Sequence, residues 1–175
     1  MYTLYGSLTL RDALPSDAAR LAEWWNDGSV MEHAGFPNGL GTTAERIAES
    51  LAGDSDDTRR RLMIEYCGRP IGEMSYRLKG SEAEIGIKIC DFTMQEKGLG
   101  KQALSLLISY LFDSCGCRRI VLDTAPENSR ARHVYERLGF RLLRINKDSW
   151  RDQLGRSRSS ADYELLPEGF INFAR

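Results

Sequence analysis

A glycine-containing turn near the middle of the chain has the residue types that bind phosphate. It reads Gln95-Glu96-Lys97-Gly98-Leu99-Gly100-Lys101 and precedes apolar residues at helical spacing. The first turn of a helix offers unpaired N–H groups and the positive end of the helix dipole, and both favour an anion. Gly98 and Gly100 would let phosphate oxygens approach those amides, while Lys97 and Lys101 would add positive charge. We interpret the turn as a pyrophosphate site of a coenzyme A type carrier.

Three other interpretations of this turn compete. The glycines alone are compatible with a simple turn into a helix. A P-loop requires glycine where Gln95 stands and Ser or Thr where Gln102 stands, so that motif fails. The spacing Gly98-x-Gly100-x-x-Ala103, with Asp123 after the next strand, fits a dinucleotide fingerprint. That fingerprint should directly follow a first strand, however, and too little chain remains after Asp123 for a doubly wound sheet.

Two ordered segments make the sequence resemble the Gcn5-related N-acetyltransferase superfamily. The first is Gln95 to Gly100, which fits the coenzyme signature of Gln or Arg, two residues, Gly, one residue, then Gly or Ala. The second comprises Asn128, Ala131, Tyr135 and Leu138-Gly139-Phe140. The segment from Trp24 to Met31 looks like the N-terminal helix of the branch that contains ribosomal-protein and aminoglycoside acetyltransferases. Departures from the family pattern are Phe92, Cys90 and Glu96.

The resemblance implies a cofactor site and a fold. Acetyl-CoA is the implied cosubstrate, and the strands Glu82 to Cys90 and Arg119 to Asp123 are expected to splay apart around its pantetheine arm. Unpaired main-chain groups at such a splay would need a ligand, because burying them unpaired is costly. The residues expected to bind the coenzyme are Cys90, Phe92, Gln95, Lys97, Gly98, Leu99, Gly100, Lys101, Asn128 and Ala131.

Amine acetylation requires proton transfers that suggest catalytic residues. An ammonium cannot attack a thioester, so a base must accept its proton and an acid must protonate the departing thiolate. Tyr135 matches the family position near the coenzyme sulfur and is the expected acid; its alternative is a core tyrosine. Strand alternation places Glu84 on one face with Gly86, Lys88 and Cys90, and makes it the favoured base. A main-chain N–H near Cys90 is the expected oxyanion donor.

Other residues compete for the base and for the acceptor pocket. Alternative bases are Glu82, Glu73, Glu32, His33 or a water chain. An acceptor pocket lined by Trp24, Trp25 and Phe36, with Asp27 and Glu32 attracting a cationic amine, is balanced against core packing of the tryptophans. The function expected is acetyl transfer to a primary amine of a small molecule or a protein N-terminus by direct attack. The alternative is a non-catalytic acyl-CoA-binding or interaction module.

The elements that position these residues alternate between strands and helices. Strands are predicted over 3–10, 61–66, 71–78, 82–90, 119–123, 140–145 and 162–166. Helices are predicted to begin at Pro15, Thr42, Leu99 and Ser129, and to end near Asn26, Gly53, Gly116 and Gly139. The segment 156–160 is predicted as a mobile loop. We expect an α/β fold, with a mostly antiparallel mixed sheet, a splayed strand pair and flanking helices.

Composition limits the remaining classes. The 175 residues suit a single domain, residues 1–175, able to bury a sizeable core. A formal net charge of -1 gives no reason to expect nucleic acid as a partner, and no apolar run is long enough for a membrane span. The four cysteines lack metal-ligand spacing, so neither a metal site nor a disulfide framework is expected. A cytoplasmic protein follows by default, and the family resemblance is compatible with a homodimer.

Overall fold

The computed structural model, which describes residues 1–175, is built on one open sheet of eight strands. Their spatial order is β1-β2-β3-β4-β5-β6-β8-β7, and all neighbours are antiparallel except β5 and β6. The strands are β1 Tyr2–Tyr5, β2 Leu8–Asp12, β3 Arg59–Tyr66, β4 Arg69–Lys79, β5 Glu82–Ile89, β6 Arg119–Thr124, β7 Arg141–Arg151 and β8 Ser157–Leu165. The expected mixed, mostly antiparallel sheet is therefore confirmed.

Helices cover both faces of the sheet. They are α1 Ala18–Asn26, α2 Gly28–Met31, α3 Ala44–Ala52, α4 Leu99–Ser109 and α5 Ser129–Leu138, and a π-helical turn over Tyr110–Ser114 extends α4. The main core packs α4 and α5 against side chains such as Met74 and Ile120. A smaller cluster packs Leu21 of α1 and Ile47 of α3 against Met63 on the opposite face. Strand alternation explains this division, because Met63 and Met74 point to opposite sides.

Strands β5 and β6 form a fork. They pair only where Glu82–Glu84 face Arg119–Val121, and no pairing continues towards their carboxyl ends. Cys90 N–H donates to the carbonyl of Ile71 at 2.9 Å, so this residue is turned towards β4. Because main-chain groups alternate in direction along a strand, those of Ile87 and Ile89 point the other way, into the fork. The expected splay is present, with unpaired main-chain groups on β5.

Several predicted boundaries were wrong. The first predicted strand is a hairpin of β1 and β2, broken at Gly6 and Ser7. The loop after α1 contains the short helix α2, and α3 is capped by Thr43, whose side chain accepts from Arg46 N–H, rather than by Thr42. The segment 156–160, predicted as a mobile loop, lies almost entirely in β8.

Candidate active site

A cleft of about 910 Å³ opens at the fork. It extends from the N-terminus of α4 across the ends of β5 and β6 to α1, α2 and the β7–β8 hairpin. The fork thus connects the predicted phosphate turn on one side of the sheet with the predicted acceptor region on the other. Of the residues predicted for the site, those that line this cleft are Glu84, Phe92, Gln95, Gly98, Gly100, Lys101, Asn128, Ala131 and Tyr135.

The predicted phosphate turn forms the first turn of α4. Gly98 is the N-cap with φ +78°, a left-handed conformation that favours glycine. The first main-chain bond of the helix runs from Gln102 N–H to the carbonyl of Gly98, and the N–H groups of Leu99, Gly100 and Lys101 have no main-chain acceptor. A Cβ built at Gly98 meets no atom within 4 Å, so the space before these amides is open. The turn therefore presents a row of free donors to the cleft.

Side chains around the turn have different roles from those expected. The Leu99 side chain belongs to the main core, and Lys97 lies on the surface with its Nζ 3.7 Å from Met94 Sδ. Neither side chain lines the cleft. Lys101 does line it, with its Nζ 3.9 Å from the centroid of the Phe173 ring. For Lys97 and Leu99, only their main-chain groups remain candidates for coenzyme contact.

Gln95 fixes the turn to the fork. Its Nε2 donates to the carbonyl of Ile89 at 2.9 Å, and its Oε1 accepts from Arg130 Nη1 in the first turn of α5. Arg130 lines the cleft beside the α4 N-terminus and was not predicted. Its position two residues after Asn128 in the second family segment was the available signal. Asn128 itself caps α5, since its Oδ1 accepts from Ala131 N–H at 3.2 Å.

Cys90 is a correction to the predicted site. Its N–H is already bonded to Ile71, so it is not a free oxyanion donor, and its side chain is buried and does not line the cleft. Burial, reinforced by the nearby charge of Glu73, raises the pKa of the thiol to about 12. The open main-chain groups are instead the N–H and carbonyl of Ile87 and the N–H of Ile89, because the Ile89 carbonyl accepts from Gln95 Nε2. Phe92, by contrast, is half exposed at the cleft wall.

Tyr135 packs in the main core beside the cleft. Its ring packs against Phe140 and Tyr163 with centroid distances of 5.9 Å, and only 7% of the residue is exposed. The residue lines the cleft and its hydroxyl makes no hydrogen bond within the protein. Burial and then the charge of Asp123 raise the pKa of Tyr135 to about 12. The phenol therefore stays protonated at neutral pH and has a free O–H.

Two carboxylates stand on the other side of the fork. Glu84 on β5 and Asp123 on β6 both line the cleft, and neither forms an ion pair. Enclosure in the cleft, followed by the negative charges of Asp162 and Glu84, raises the pKa of Asp123. The sequence suggested for Asp123 only the role of a ribose-binding acid. Asp123 lies two residues after Val121 and therefore on the same face of β6. Because Val121 is directly opposite Glu84, this spacing was the signal that Asp123 lies beside Glu84.

The competing bases are held in other interactions. Glu82 pairs with Arg119, and Glu32 does not line the cleft. Glu73 is 1% exposed and accepts hydrogen bonds from Arg61, from Trp25 Nε1 at 2.8 Å and from Lys88 Nζ at 3.3 Å. Burial alone would raise the pKa of Glu73, but the charges of Arg61 and Lys88 outweigh it and hold that pKa below the ordinary value. Glu73 is therefore an ion-pair partner at neutral pH.

The acceptor region differs from the predicted one. Trp25 lines the cleft with the Arg61 guanidinium 4.5 Å from its ring centroid, and His33 of the following segment lines it too. The cleft lining does not include Trp24, Phe36, Asp27 or Glu32. Trp24 packs beside the α1–α3 cluster, and Asp27 caps α2. Of the residues predicted for the acceptor pocket, Trp25 alone lines the cleft.

The β7–β8 hairpin supplies a wall that was not predicted. Trp150 lines the cleft and packs so closely on Gly35 that a Cβ there would lie 2.5 Å from Trp150 Cζ3. Gln153 joins the same surfaces, because its N–H donates to the carbonyl of Gly35 at 2.8 Å and its Nε2 to that of Gly39 at 3.0 Å. The hairpin tip thus packs on the segment after α2 and contributes Trp150 to this end of the cleft.

No group of three or more His, Cys, Asp or Glu side chains is arranged to hold a metal ion. None of the helices combines the length and apolar character needed to cross a membrane.

Comparison with known proteins agrees with this geometry. The Acetyltransferase (GNAT) domain family matches residues 7–141. An aminoglycoside N(6')-acetyltransferase type 1 of Klebsiella pneumoniae is 31% identical over 150 residues, covering 77% of this chain and 74% of that protein. A spermidine N(1)-acetyltransferase of Escherichia coli K12 is 28% identical over 122 residues, covering 67% of this chain and 54% of that protein.

A solved structure supports the fold. A ribosomal L7/L12 alpha-N-protein acetyltransferase in complex with coenzyme A superposes with a TM-score of 0.84 at 19% identity, covering 95% of this chain and 98% of that one. At that identity the likeness concerns the fold alone. Together with the family match over most of the chain, these findings show that the protein belongs to the GNAT acetyltransferase family and is an acetyl-CoA-dependent N-acetyltransferase.

Proposed function

We propose that the forked cleft holds acetyl-CoA between α4 and β5 and presents its thioester to a primary amine that enters from the side of α1. The observation that carries this proposal is the unbonded hydroxyl of Tyr135 in a cleft that also contains free amides and two unpaired carboxylates. Direct attack needs one acid, one base and a bound thioester, and all three requirements meet at this fork.

The coenzyme is held mainly by main-chain groups. The free N–H groups at the start of α4 bind the pyrophosphate, with Lys101 and Arg130 adding positive charge at the cleft wall. Ile87 and Ile89 extend the sheet to the pantetheine amides, in the manner of an added strand. One of their N–H groups faces the thioester carbonyl and takes the oxyanion role first expected near Cys90.

Proton transfer is assigned to three side chains. Glu84 accepts the proton of the incoming ammonium, and Asp123 beside it is a second candidate because its pKa is raised above the ordinary value of an aspartate. The amine nitrogen then attacks the carbonyl carbon, the carbon–sulfur bond breaks, and the thiolate takes the phenolic proton of Tyr135. The former amine nitrogen loses its remaining surplus proton to water, Glu84 gives its proton to solvent, and solvent returns a proton to the phenolate, so that the cycle closes with one proton released per acetyl group transferred.

A screen of acetyl transfer to an amine panel with mass detection tests this assignment. Tyr135→Phe is expected to lower kcat about 10²-fold while coenzyme A affinity stays unchanged, since only the acid is lost. Tyr2→Phe is the matched control, because Tyr2 is 71% exposed on β1. Glu84→Gln and Asp123→Asn are compared with Glu49→Gln, an exposed change on α3. Coenzyme binding without turnover of any amine would favour a non-catalytic module.

The acceptor class is a primary amine on a small molecule or a protein N-terminus. This class includes the acceptors for which the relatives are named, an aminoglycoside and spermidine, and the one for which a structural neighbour is named, a ribosomal protein.

We also propose that residues 1–175 act as one acetyltransferase domain, since every strand joins one sheet. Four unbridged cysteines are consistent with a cytoplasmic protein. A homodimer is proposed through β7, an edge strand that exposes Leu142, Leu143 and Ile145. Light scattering that shows only monomers at micromolar concentration would contradict the dimer.

A further inference from the structure

Cationic side chains are concentrated at one end of the acceptor side of the cleft. Arg59 and Arg61 of β3, Arg77 of β4 and Lys88 of β5 all line it. Their residues fall on the same sheet face, because Arg59 is opposite Arg77 while Arg61 and Lys88 are both in contact with Glu73. We call these four residues the cationic patch.

The cationic patch is incompletely neutralised. Arg61 and Lys88 share the single buried carboxylate of Glu73, and Arg59 pairs with Asp54 at 3.5 Å. Arg77 is exposed and forms neither a hydrogen bond nor an ion pair, although Glu84 is directly opposite on β5. Three of the four cations therefore share two carboxylates in ion pairs, and Arg77 is the member of the patch without an ion-pair partner.

The patch lies beside the two carboxylates of the fork. Arg59, Arg77, Glu84 and Val121 form one row across β3, β4, β5 and β6. Neighbouring strands are about 4.8 Å apart, so the Arg77 and Arg59 backbones lie about 5 and 10 Å from that of Glu84. Asp123 continues the same face on the far side of Glu84. The cleft is thus positive at one end of this row and negative at the other.

We propose that the acceptor carries an oxyanion, either a carboxylate or a phosphate, in addition to its primary amine, and that Arg77 with the rest of the cationic patch binds it. The oxyanion site rests on the function proposed above, which assigns the amine of the acceptor to the same cleft. The guanidinium fork of Arg77 matches the oxygens of a carboxylate or phosphate, while Glu84 and Asp123 attract the ammonium. A polyamine of similar length would bring a second ammonium against Arg77, where like charges repel.

Matched acceptors test the proposal. Three acceptors are compared: ε-aminocaproate, its amide and hexamethylenediamine. Each carries a primary amine at one end of a chain of the same length, and the other end is anionic, neutral or cationic, respectively. O-phosphoethanolamine and ethanolamine make the corresponding phosphate comparison. We measure kcat/KM by mass-detected acetyl transfer, and acceptor binding to the coenzyme A-loaded protein by calorimetry. The native protein is expected to prefer the anionic compound about tenfold over its neutral partner, as a charge-assisted hydrogen bond warrants. The comparison, carboxylate or phosphate, that gives the larger kcat/KM ratio of anionic to neutral acceptor identifies the oxyanion.

Variants assign the preference to Arg77. Arg77→Gln is expected to abolish the tenfold ratio between the anionic and the neutral acceptor, and Arg77→Lys to retain part of that ratio. Arg20→Gln, on the exposed surface of α1, is the control and should keep the full ratio. Equal or better use of the diamine, an equal loss on all acceptors in Arg77→Gln, or no preference in either turnover or binding would overturn the proposal.

The two proposals fail in different ways. Selective binding of the acidic amine without any turnover would defeat the assigned catalytic roles and leave the oxyanion site standing. Turnover without charge preference would defeat the oxyanion site alone.

Discussion

Replacement of Glu73 by glutamine is expected to destabilise the protein by about 3 kcal/mol. Glu73 is 1% exposed and is the only carboxylate that faces both Arg61 and Lys88. Glutamine can still accept from Trp25, but it leaves two cations without a counter-charge. Removing one partner of a buried ion pair typically costs ~3–5 kcal/mol. Because the side chains of Arg61 and Lys88 are 29% and 32% exposed, water solvates them in part, and we expect the lower value.

Thermal unfolding followed by circular dichroism measures this effect. At ~2–4 °C per kcal/mol for a chain of this size, Glu73→Gln should lower Tm by about 6–12 °C at pH 7. Glu84→Gln on the neighbouring strand is the matched control, since Glu84 is exposed and unpaired, and should leave Tm within about 1–2 °C.

The pH dependence of that difference provides a second test. The folded pKa of Glu73 lies below its ordinary value of 4.5, so its charge contributes fully above that value and the contribution is lost as pH falls through the folded pKa. The Tm difference should therefore be constant from pH 7 to about pH 5 and narrow below about pH 4.5. Equal Tm values at pH 7, or a difference that persists unchanged in acid, would refute the role assigned to Glu73.

Three other changes probe the cleft. Gly98→Ala should weaken coenzyme A binding measured by calorimetry, because alanine disfavours the backbone angle φ +78°. The control Gly80→Ala, at φ +62° in a distant turn, should leave binding unchanged. Equal affinity in both variants would contradict the role of the α4 amides. Trp150→Ala should raise KM for the acceptor and not for acetyl-CoA, because it removes the hairpin wall; the reverse pattern would contradict that placement. Asp123→Asn should remove a rise of kcat/KM with pH if Asp123 is the base, since only its deprotonated form accepts a proton and its pKa is raised; an unchanged profile would leave Glu84 as the base.

Local signals predicted the parts of the fold that local chemistry determines. Helix α5 runs from Ser129 to Leu138 as expected, because Asn128 caps its start and Gly139, at φ +99°, ends it. Strand β8 was predicted only from Asp162 onwards because Ser157 to Ser160 carry no apolar pattern. Their strand structure comes from pairing with β7, a contact that no local signal reveals.

The site was predicted in outline and not in its bonding. Which main-chain groups of β5 are free depends on register. Because Cys90 N–H bonds to Ile71, the free N–H groups are those of Ile87 and Ile89 rather than that of Cys90. The contacts of Glu73 were likewise not predictable from the local sequence. Within an apolar strand its carboxylate gave no sign of its partners, since Trp25 and Arg61 come from distant segments.

Topology explains why the proposed chemical groups meet at one place. Because β5 and β6 are parallel, the helix that connects them must start at the carboxyl end of β5 and return to the opposite end of the sheet. Pairing between the two strands ends before their carboxyl ends, so the fork opens at the edge where the free amides of α4 lie. Asp123 near the end of β6 and Tyr135 in the following helix reach the same edge. A substitution that extended β5–β6 pairing past Glu84 would therefore close the coenzyme cleft without altering any of the residues assigned to catalysis.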